Sequence, residues 1–481
     1  MNTVIRPASL ILLCLWLLLG AGCSIEPVEV SSPLQQCRQQ LNQLQTAISD
    51  AGVSDSEYVP VKNFPTYRTN RFWSSFVKDT LDKNQNLEWR RQLHDMGMES
   101  LSLEWRNLPP DTRQAMHWPY GDFATFRQAC GEVLFQDSLT RPITPEEVAV
   151  PDSYSEWQRV LGVYALTKHM AMHSIHTYEK EMADLMSPDQ PFLAEHGLYY
   201  VPQDASTPDA VSAPLQFPLP RTPLGIPKLT DEQLHILAHY HAPRLEIQQE
   251  SDADKIGAAM WDHGRRAVAT STPMAYVYPS FMRSHHGVLL QLNYTFWFPA
   301  RPASGAFDWY AGKLDGLVWR VTLDNNGQVL FYDSIHPCGC YHSIHVPQGS
   351  PLTTDRQLEK MPLVFHTRFD NNTANPLLQI QAGTHYLLHV VTAEPTHLYA
   401  QPYFMQGYES LRSLPDGDGF RDWFDPDGLI HVSRRFERFF LWPLGVPSAG
   451  AMREQGHQAI AFVGKRHFDD AWLEDFLGGK H

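Results

Sequence analysis

The chain has 481 residues, of which 43% are hydrophobic and 19% are charged. This length leaves room for several domains, and the apolar share is that of a globular core, which excludes a disordered, collagen-like or coiled-coil protein. The 53 acidic and 38 basic residues give a net charge of −15, which offers no attraction for phosphate backbones, so we expect no nucleic-acid partner.

The first 22 residues have the pattern of an export signal. Arg6 precedes an apolar run at positions 10–19, and the small residues Gly20, Ala21 and Gly22 follow it. A membrane-spanning helix needs about 20 apolar residues, so this shorter run indicates a secretory signal peptide and not a spanning helix.

Cys23 comes directly after Ala21-Gly22. This arrangement resembles the lipobox of bacterial lipoproteins, although Gly20 stands where that family usually has Leu. The resemblance implies that residues 1–22 are removed and that Cys23 becomes a lipidated N-terminus. Because Ser24 and not Asp follows the cysteine, it also implies sorting to the outer membrane, with the protein body on the periplasmic face. Two or more acyl chains give durable attachment, so the membrane is an expected partner.

Four of the six cysteines remain once Cys14 is removed with the signal and Cys23 is lipidated. An exported protein meets an oxidising compartment, where an even number of thiols favours pairing. Cys37 and Cys130 both lie in segments with helical periodicity. We therefore predict a disulfide bond between Cys37 and Cys130 that ties two helices together.

The chain divides into three parts after the signal. Residues 34–185 have helical periodicity, and residues 201–228 contain seven prolines, which is typical of a linker or an extended strap. The predicted organisation is a helical domain over residues 23–200, a Pro-rich linker over 201–228 and a β-rich domain over 229–481.

In the β-rich part, hydrophobic residues recur with a period of two residues. Apolar side chains occupy every even position from 290 to 298, and Asn326-Gly327 lies between two apolar runs, which is a hairpin signal. About ten short strands of this kind precede a C-terminal helix at residues 469–477. The predicted fold class is α+β: a mostly helical N-terminal half followed by a larger antiparallel β sandwich or barrel.

The densest group of potentially reactive side chains follows the predicted hairpin. If this stretch is extended, alternate side chains face one side, and thiolates and imidazoles there would suit zinc. His285 and His286 would join this group if their strand lies beside the hairpin. The candidate metal ligands are His336, Cys338, Cys340, His342, His345, His285 and His286.

Two alternatives to a zinc site remain open. In the first, Pro337 and Gly339 form a tight structural turn, or the oxidising compartment joins Cys338 and Cys340 in a local disulfide. Alternatively, either thiol acts as a nucleophile with a neighbouring histidine as its base, so the catalytic candidates are Cys338, Cys340, His336 and His342.

Aromatic residues are concentrated in the β-rich half, at positions 296–298, 309–310, 423–424 and 439–442. Such rings serve as stacking platforms for sugars, but they also fill hydrophobic cores. We expect a non-catalytic envelope protein that binds a protein partner or a glycan through its β domain. The alternative is an envelope enzyme, either a metal-dependent hydrolase or a cysteine acyl-transferase, that uses the His336–His345 segment.

Overall fold

The computed structural model describes residues 32–187, 192, 194, 196–203, 215–305, 307–352, 363–395, 398–461 and 464–476. The predicted signal segment and Cys23 lie outside these ranges. Within them, no helix combines the length and the apolarity that crossing a membrane requires.

The N-terminal part is helical, as predicted. The first helix begins at a capping box, in which the Ser32 hydroxyl accepts from the Gln35 amide and the Gln35 side chain accepts from the Ser32 amide. Two short strands, β1 (Val59–Pro60) and β2 (Arg68–Thr69), lie between the helices. The helices are α1 (Pro33–Ala51), α2 (Arg71–Ser74), α3 (Lys83–Asn107), α4 (Pro110–Ala115), α5 (Phe123–Ser138), α6 (Glu156–Leu161) and α7 (Tyr164–Leu185).

The predicted pairing of Cys37 with Cys130 is confirmed. A disulfide bond joins the two residues, whose Cα atoms are 5.5 Å apart. Cys37 lies on α1 and Cys130 on α5, and both are buried among apolar side chains of the same core. The bond closes a sequence separation of 93 residues, so it restricts the unfolded chain strongly.

The C-terminal part is built on one sheet of 11 strands in the order β12-β11-β10-β9-β8-β7-β15-β3-β4-β13-β14. Its two edge strands, β12 and β14, contact each other in part, which makes the sheet nearly barrel-shaped. The strands of this sheet are β3 (Gly197–Pro202), β4 (Arg244–Gln248), β7 (Met274–Ser284), β8 (Gly287–Arg301), β9 (Gly312–Leu323), β10 (Val329–Ile335), β11 (Ser343–Gln348), β12 (Leu363–Asp370), β13 (Leu377–Ile380), β14 (Leu387–Val391) and β15 (Ala400–Gly407).

Smaller elements complete the C-terminal part. They are α8 (Asp231–His241), β5 (Ala258–Asp262), β6 (Arg265–Ala269), a 3-10 helix (Tyr408–Ser413), β16 (Leu414–Asp416), β17 (Gly419–Arg421), α9 (Arg438–Leu441) and α10 (Leu473–Phe476). The predicted α+β class, with a helical N-terminal half and a larger β-rich part, is confirmed.

The sheet is mixed, because four of its neighbouring strand pairs are parallel. β15 runs parallel to both β3 and β7, β13 runs parallel to β4, and β12 runs parallel to β11. β3 reaches the sheet from the end of the helical half, about two hundred residues before its partner β15. Residue alternation indicates which side of a strand is buried but not which strand lies beside it, so these pairings could not be predicted.

The predicted hairpin is also confirmed, since β9 and β10 pair in antiparallel fashion around Asp324 and Gln328. β8 alternates as predicted, with Leu292 and Tyr294 in the main core. Its opposite face is buried too, because Gln291 and Asn293 expose only 2% and 0% of their surface. The helical part, residues 408–412, residues 455–456 and residues 468–469 lie over this polar face of the sheet.

Candidate functional site

The Cys338–Cys340 segment forms a tight turn between β10 and β11, which we call the Cys/His turn (residues 336–345). The His336 amide donates to the Cys340 carbonyl at 3.0 Å, and the Gly339 amide donates to the His336 carbonyl at 2.8 Å. Gly339 has a φ of +91°, and a Cβ there would lie 2.3 Å from the Ala459 carbonyl oxygen. The predicted turn is confirmed, and the extended arrangement that would align four metal ligands is wrong.

Each histidine of this turn already has its own hydrogen-bond partner. Burial lowers the pKa of His342 to about 4 and that of His345 to about 3, and it also lowers the pKa of His336. The three imidazoles are therefore neutral packing groups at neutral pH. The contacts are His336 Nδ1 with Asp315 at 3.2 Å, His342 Nε2 with Asp333 at 3.3 Å and His345 Nε2 with the Ser343 hydroxyl at 3.0 Å.

His285 and His286 lie elsewhere, which corrects the prediction that they join this group. Both are exposed in the turn between β7 and β8, where the Asn325 side-chain amide donates to the His286 carbonyl at 3.0 Å. Asn325 precedes β10, whereas His336 follows it, so the two groups lie at opposite ends of that strand. Successive hairpin turns alternate between the two ends of a sheet, and this separates them.

The two thiols of the turn are buried and are not joined by a disulfide in the structure; Cys338 exposes 2% of its surface and Cys340 8%. A hydrogen bond between them lowers the pKa of Cys338 and raises that of Cys340. In the described part of the chain, the predicted zinc ligands bring no three donor atoms within 4.8 Å of one another. Zinc binding at this turn therefore stays a prediction without geometric support.

A cavity of about 420 Å³ lies on the polar face of the sheet, and we call it the central cleft. Its floor is formed by β7, β8 and β9, one wall by the helical part, and the other wall by the 3-10 helix at Tyr408–Ser413 with residues 455–456 and 468–469. The lining residues are Glu57, Tyr58, Asn70, Phe72, Trp73, Gln92, Met96, Glu99, Tyr278, Pro279, Ser280, Phe281, Gln291, Asn293, Arg320, Tyr408, Glu409, Arg412, Gln455, Gly456, Phe468 and Asp469.

Arg412 joins the two walls of the cleft. Its Nε and Nη2 donate to the two carboxylate oxygens of Asp55 at 2.8 and 2.7 Å. Its Nη1 lies 2.6 Å from a Glu99 oxygen and 3.1 Å from a Glu57 oxygen. Arg412 exposes only 1% of its surface, so this guanidinium binds the buried carboxyl groups of Asp55 and Glu57 in a region of low dielectric constant and reaches the half-exposed Glu99 at its edge.

The second guanidinium of the cleft, that of Arg320, is also fully engaged. Its Nε and Nη2 bind the carboxylate of Asp333 at 2.9 and 2.7 Å, and its Nη1 donates to the Phe468 carbonyl at 2.7 Å. The positive charges of both arginines are thus compensated by carboxylates that lie outside the lining, those of Asp55 and Asp333. The acidic groups of the lining therefore outweigh the positive charge that faces the cavity.

The pKa values of two neighbouring carboxyl groups at the cleft are shifted in opposite directions. Burial raises the pKa of Glu57 to about 7, whereas the pKa of Asp55 falls to about 2, because the charge of Arg412 overrides the effect of burial. Neighbouring carboxyl groups whose surroundings give them very different pKa values are typical of functional sites.

Behind the cleft, Asp55, Asp422 and Glu454 bring carboxylate oxygens within 4.8 Å of one another. Both oxygens of Asp55 are already bound by Arg412, and burial raises the pKa of Asp422 and Glu454 well above the ordinary value. Because Asp55 is already paired with Arg412 and burial disfavours the charged forms of Asp422 and Glu454, we do not assign a metal site here.

The floor of the cleft carries an unpaired acceptor. Asn293 exposes none of its surface, and its Nδ2 donates to the Tyr278 carbonyl at 3.2 Å and to the Ser280 hydroxyl at 2.9 Å. Its Oδ1 faces no protein donor. A buried carbonyl oxygen without a donor costs free energy, and a ligand that donates a hydrogen bond would recover it.

None of the seven predicted histidines and cysteines lines the central cleft. Its residues come from four distant parts of the sequence, and no motif connects them. The one local signal is the polar face of β8, where Gln291 and Asn293 alternate with apolar residues. No protein-family model matches this chain, and no curated protein or solved structure matches it either.

Proposed function

We propose that this protein is an exported, lipid-anchored binding protein that holds a small ligand in the central cleft. The cleft carries the proposal, because it is a cavity of about 420 Å³ with aromatic walls and a polar, charged floor. Binding sites for small molecules are typically concave, with a few placed polar groups among apolar ones. The lipobox resemblance at Cys23 supports attachment to the periplasmic face of the outer membrane.

A second feature supports a position at a membrane surface. Large apolar side chains are exposed on α6, on the start of α7 and around α9, and we call this surface the aromatic face. A contiguous exposed patch of this kind is rare on a freely soluble protein, and aromatic rings suit the lipid–water interface. Its members are Trp157, Val160, Leu161, Val163, Leu166, Trp309, Phe436, Phe439 and Phe440.

The two halves of the aromatic face are in contact. The Arg159 side chain donates to the Leu444 carbonyl at 3.2 Å, which joins α6 to the segment after α9. The rings of Trp309 and Phe440 are 4.6 Å apart, and the guanidinium of Arg438 lies 4.6 Å from the centre of the Phe439 ring. A basic side chain beside an aromatic cluster, here Arg438, is suited to contact lipid headgroups. The aromatic face would therefore add a second membrane contact to the lipid anchor at the N-terminus.

The anchor is tested by mass spectrometry of the mature N-terminus after expression of the full chain in a bacterium with an outer membrane. We expect a diacylglyceryl and N-acyl modification on Cys23 and recovery of the protein in the outer-membrane fraction. A mature chain that begins at another, unacylated residue would contradict the anchor.

Ligand binding in the cleft is tested by native mass spectrometry of chain purified from the envelope. Gln92 projects from α3 into the cleft, so Gln92→Trp fills the cavity from one wall. We expect a small-molecule adduct on the wild type and on the control Gln39→Trp, which changes an exposed position of α1. Loss of the adduct in Gln92→Trp alone supports the proposal, and an adduct on both variants opposes it.

The alternative, an enzyme that acts through the Cys/His turn, has less support. Cys338 and Cys340 are buried, and neither lines the central cleft. A thiol nucleophile must meet its substrate, and a buried thiol behaves as a small apolar side chain.

A further inference from the structure

We propose that the ligand of the central cleft is a small organic cation that carries a protonated amine. This inference rests on the proposed function, since it names the chemical class of the ligand held in the same cleft. Three independent properties of the lining support it: the balance of charge, the type of unpaired hydrogen-bonding atom and the aromatic walls.

The charge balance of the lining favours a cation. Four acidic residues line the cavity, namely Glu57, Glu99, Glu409 and Asp469, against two arginines. Asp55 and Asp333 bind those two arginines through paired hydrogen bonds from outside the lining. Arg71 binds Asp469 at 3.1 Å, but Glu57 and Glu99 share a single Arg412 nitrogen. A positively charged ligand would supply the compensation that the protein lacks.

The unpaired atoms of the lining are acceptors. Asn293 Oδ1 and Gln455 Oε1 are buried and accept no hydrogen bond from the protein. Glu57 Oε2 has only a 3.1 Å contact with Arg412 Nη1, a nitrogen that lies closer to Glu99. A carboxylate or phosphate ligand would place further acceptors against them, whereas an ammonium group offers three donors. Charge-assisted hydrogen bonds from such a donor are stronger than neutral ones.

The walls supply flat aromatic surfaces. Tyr58, Trp73, Tyr278 and Tyr408 all line the cavity, and the rings of Tyr278 and Tyr408 are 4.9 Å apart. The electron-rich face of an aromatic ring attracts an organic cation and also packs against its carbon skeleton. These walls therefore accept the apolar part of the ligand while the carboxylates bind its amine.

Binding of a cation should release a proton from Glu57. Its pKa is about 7, so near neutral pH the side chain is partly protonated, and an ammonium group beside it favours the charged form. Affinity should therefore rise as the pH increases from 6 to 8. The titratable and charged groups that act on the Glu57 carboxylate are Asp55, Tyr58, Glu99, Tyr278, Tyr408, Arg412, Asp422 and Glu454.

The test is isothermal titration calorimetry on the chain from residue 24 onward with two matched pairs of probes. Glucosamine is compared with glucose, and 1,5-diaminopentane with 1,5-pentanediol, so that each pair differs in its ammonium groups. The two pairs distinguish an amino sugar from an alkyl amine. We expect at least one amine to bind at least tenfold more tightly than its neutral counterpart at pH 6. The pH dependence is tested with 1,5-diaminopentane, because its alkyl ammonium groups stay charged from pH 6 to pH 8, and its affinity should increase over that range.

Glu57→Gln is the informative variant, because the amide keeps the shape of the protonated acid. We expect at least a tenfold loss of amine affinity and no proton release, whereas the control Glu132→Gln, on the exposed side of α5, binds as the wild type does. Equal affinity for an amine and its neutral counterpart, or an unchanged Glu57→Gln variant, overturns the inference.

A failure of the inference is distinguishable from a failure of the proposed function. If glucose or 1,5-pentanediol binds as tightly as its amine and Gln92→Trp abolishes that binding, the cleft is a ligand site but not one for amines. If neither amine binds, the ammonium inference is wrong, and the adduct experiment with Gln92→Trp still decides whether the cleft holds a ligand.

Discussion

The Cys/His turn and the central cleft differ in how their polar groups are satisfied. In the turn, each histidine has a hydrogen-bond partner within the protein and the two thiols bind each other. In the cleft, the side-chain oxygens of Asn293 and Gln455 are buried and accept no hydrogen bond from the protein, and Glu57 shares one Arg412 nitrogen with Glu99. The turn is therefore a packed structural element, whereas the cleft has polar groups that remain able to bind a ligand.

This contrast shows why closeness in sequence is a poor guide to a binding site. The five candidates of the turn lie within ten residues, yet each is bound to another protein group: His336 to Asp315, His342 to Asp333, and the others to residues of the turn itself. The residues of the cleft are spread from position 57 to position 469. The cleft is identified by buried hydrogen-bond acceptors that line a cavity and have no donor in the protein. Such acceptors can be recognised only in the folded chain.

The largest expected effect concerns the arginine that joins the walls of the cleft. Arg412→Met leaves the buried carboxyl groups of Asp55 and Glu57 without the cation that they share with the half-exposed Glu99, so we expect a loss of about 3–5 kcal/mol in the free energy of unfolding. Urea unfolding measures it. Arg127→Met is the control, since Arg127 is half exposed and lies 3.8 Å from Asp95, where a change of at most about 1 kcal/mol is expected. Equal losses in the two variants would show that Arg412 is not the junction we describe.

The two cysteine pairs give the second test, because it asks whether the thiols of the Cys/His turn have only a structural role. Cys37→Ala with Cys130→Ala removes a crosslink over 93 residues and should lower the free energy of unfolding by about 2–4 kcal/mol. Cys338→Ala with Cys340→Ala should cost about 1–2 kcal/mol, the effect of small buried apolar groups, and should leave amine binding unchanged.

Metal analysis of the same proteins addresses zinc at the turn. We expect no stoichiometric zinc in the wild type, because the predicted ligands do not converge. Stoichiometric zinc that disappears with Cys338→Ala and Cys340→Ala would restore the turn as a functional site.

The third prediction concerns pH. Burial raises the pKa of Glu104 from 4.5 to about 7 in the folded protein. Between these values the unfolded chain releases a proton that the folded chain keeps, so this group makes stability fall as the pH rises from 4.5 to 7. Glu104→Gln should therefore lose less stability than the wild type between pH 5 and pH 8, by about 2 kcal/mol in urea unfolding. Parallel pH profiles for the two proteins would mean that Glu104 titrates normally.

The smallest effect is expected on the aromatic face. Phe439→Ser with Phe440→Ser should leave the free energy of unfolding nearly unchanged, because the two side chains are 55% and 59% exposed. Binding of the chain from residue 24 onward to phospholipid vesicles should fall about tenfold, as measured by flotation. Leu87→Ser, an exposed apolar position of α3 outside this face, is the control. Wild-type vesicle binding by the double variant would exclude the aromatic face as a membrane contact, and concentration-dependent self-association of the wild type would assign the face to a second copy.

The sequence predicted the features that depend on local patterns. Helical periodicity indicated the N-terminal half, and the alternation in β8 and the Asn326-Gly327 turn indicated strands. The even number of cysteines that remain after the predicted signal segment indicated the Cys37–Cys130 bond. The parallel pairing of β15 with β3 and the position of Arg412 against Asp55 depend on contacts across about two hundred residues or more. No periodicity encodes such contacts, and for this reason the cleft could not be predicted.

Hydrogen–deuterium exchange with and without a bound amine tests most directly whether the cleft, and not the Cys/His turn, is the functional site. With saturating glucosamine or 1,5-diaminopentane, we predict added protection at residues 57–58, 92–99, 278–293 and 408–412, and unchanged exchange at residues 336–345. Protection confined to residues 336–345 would contradict this account.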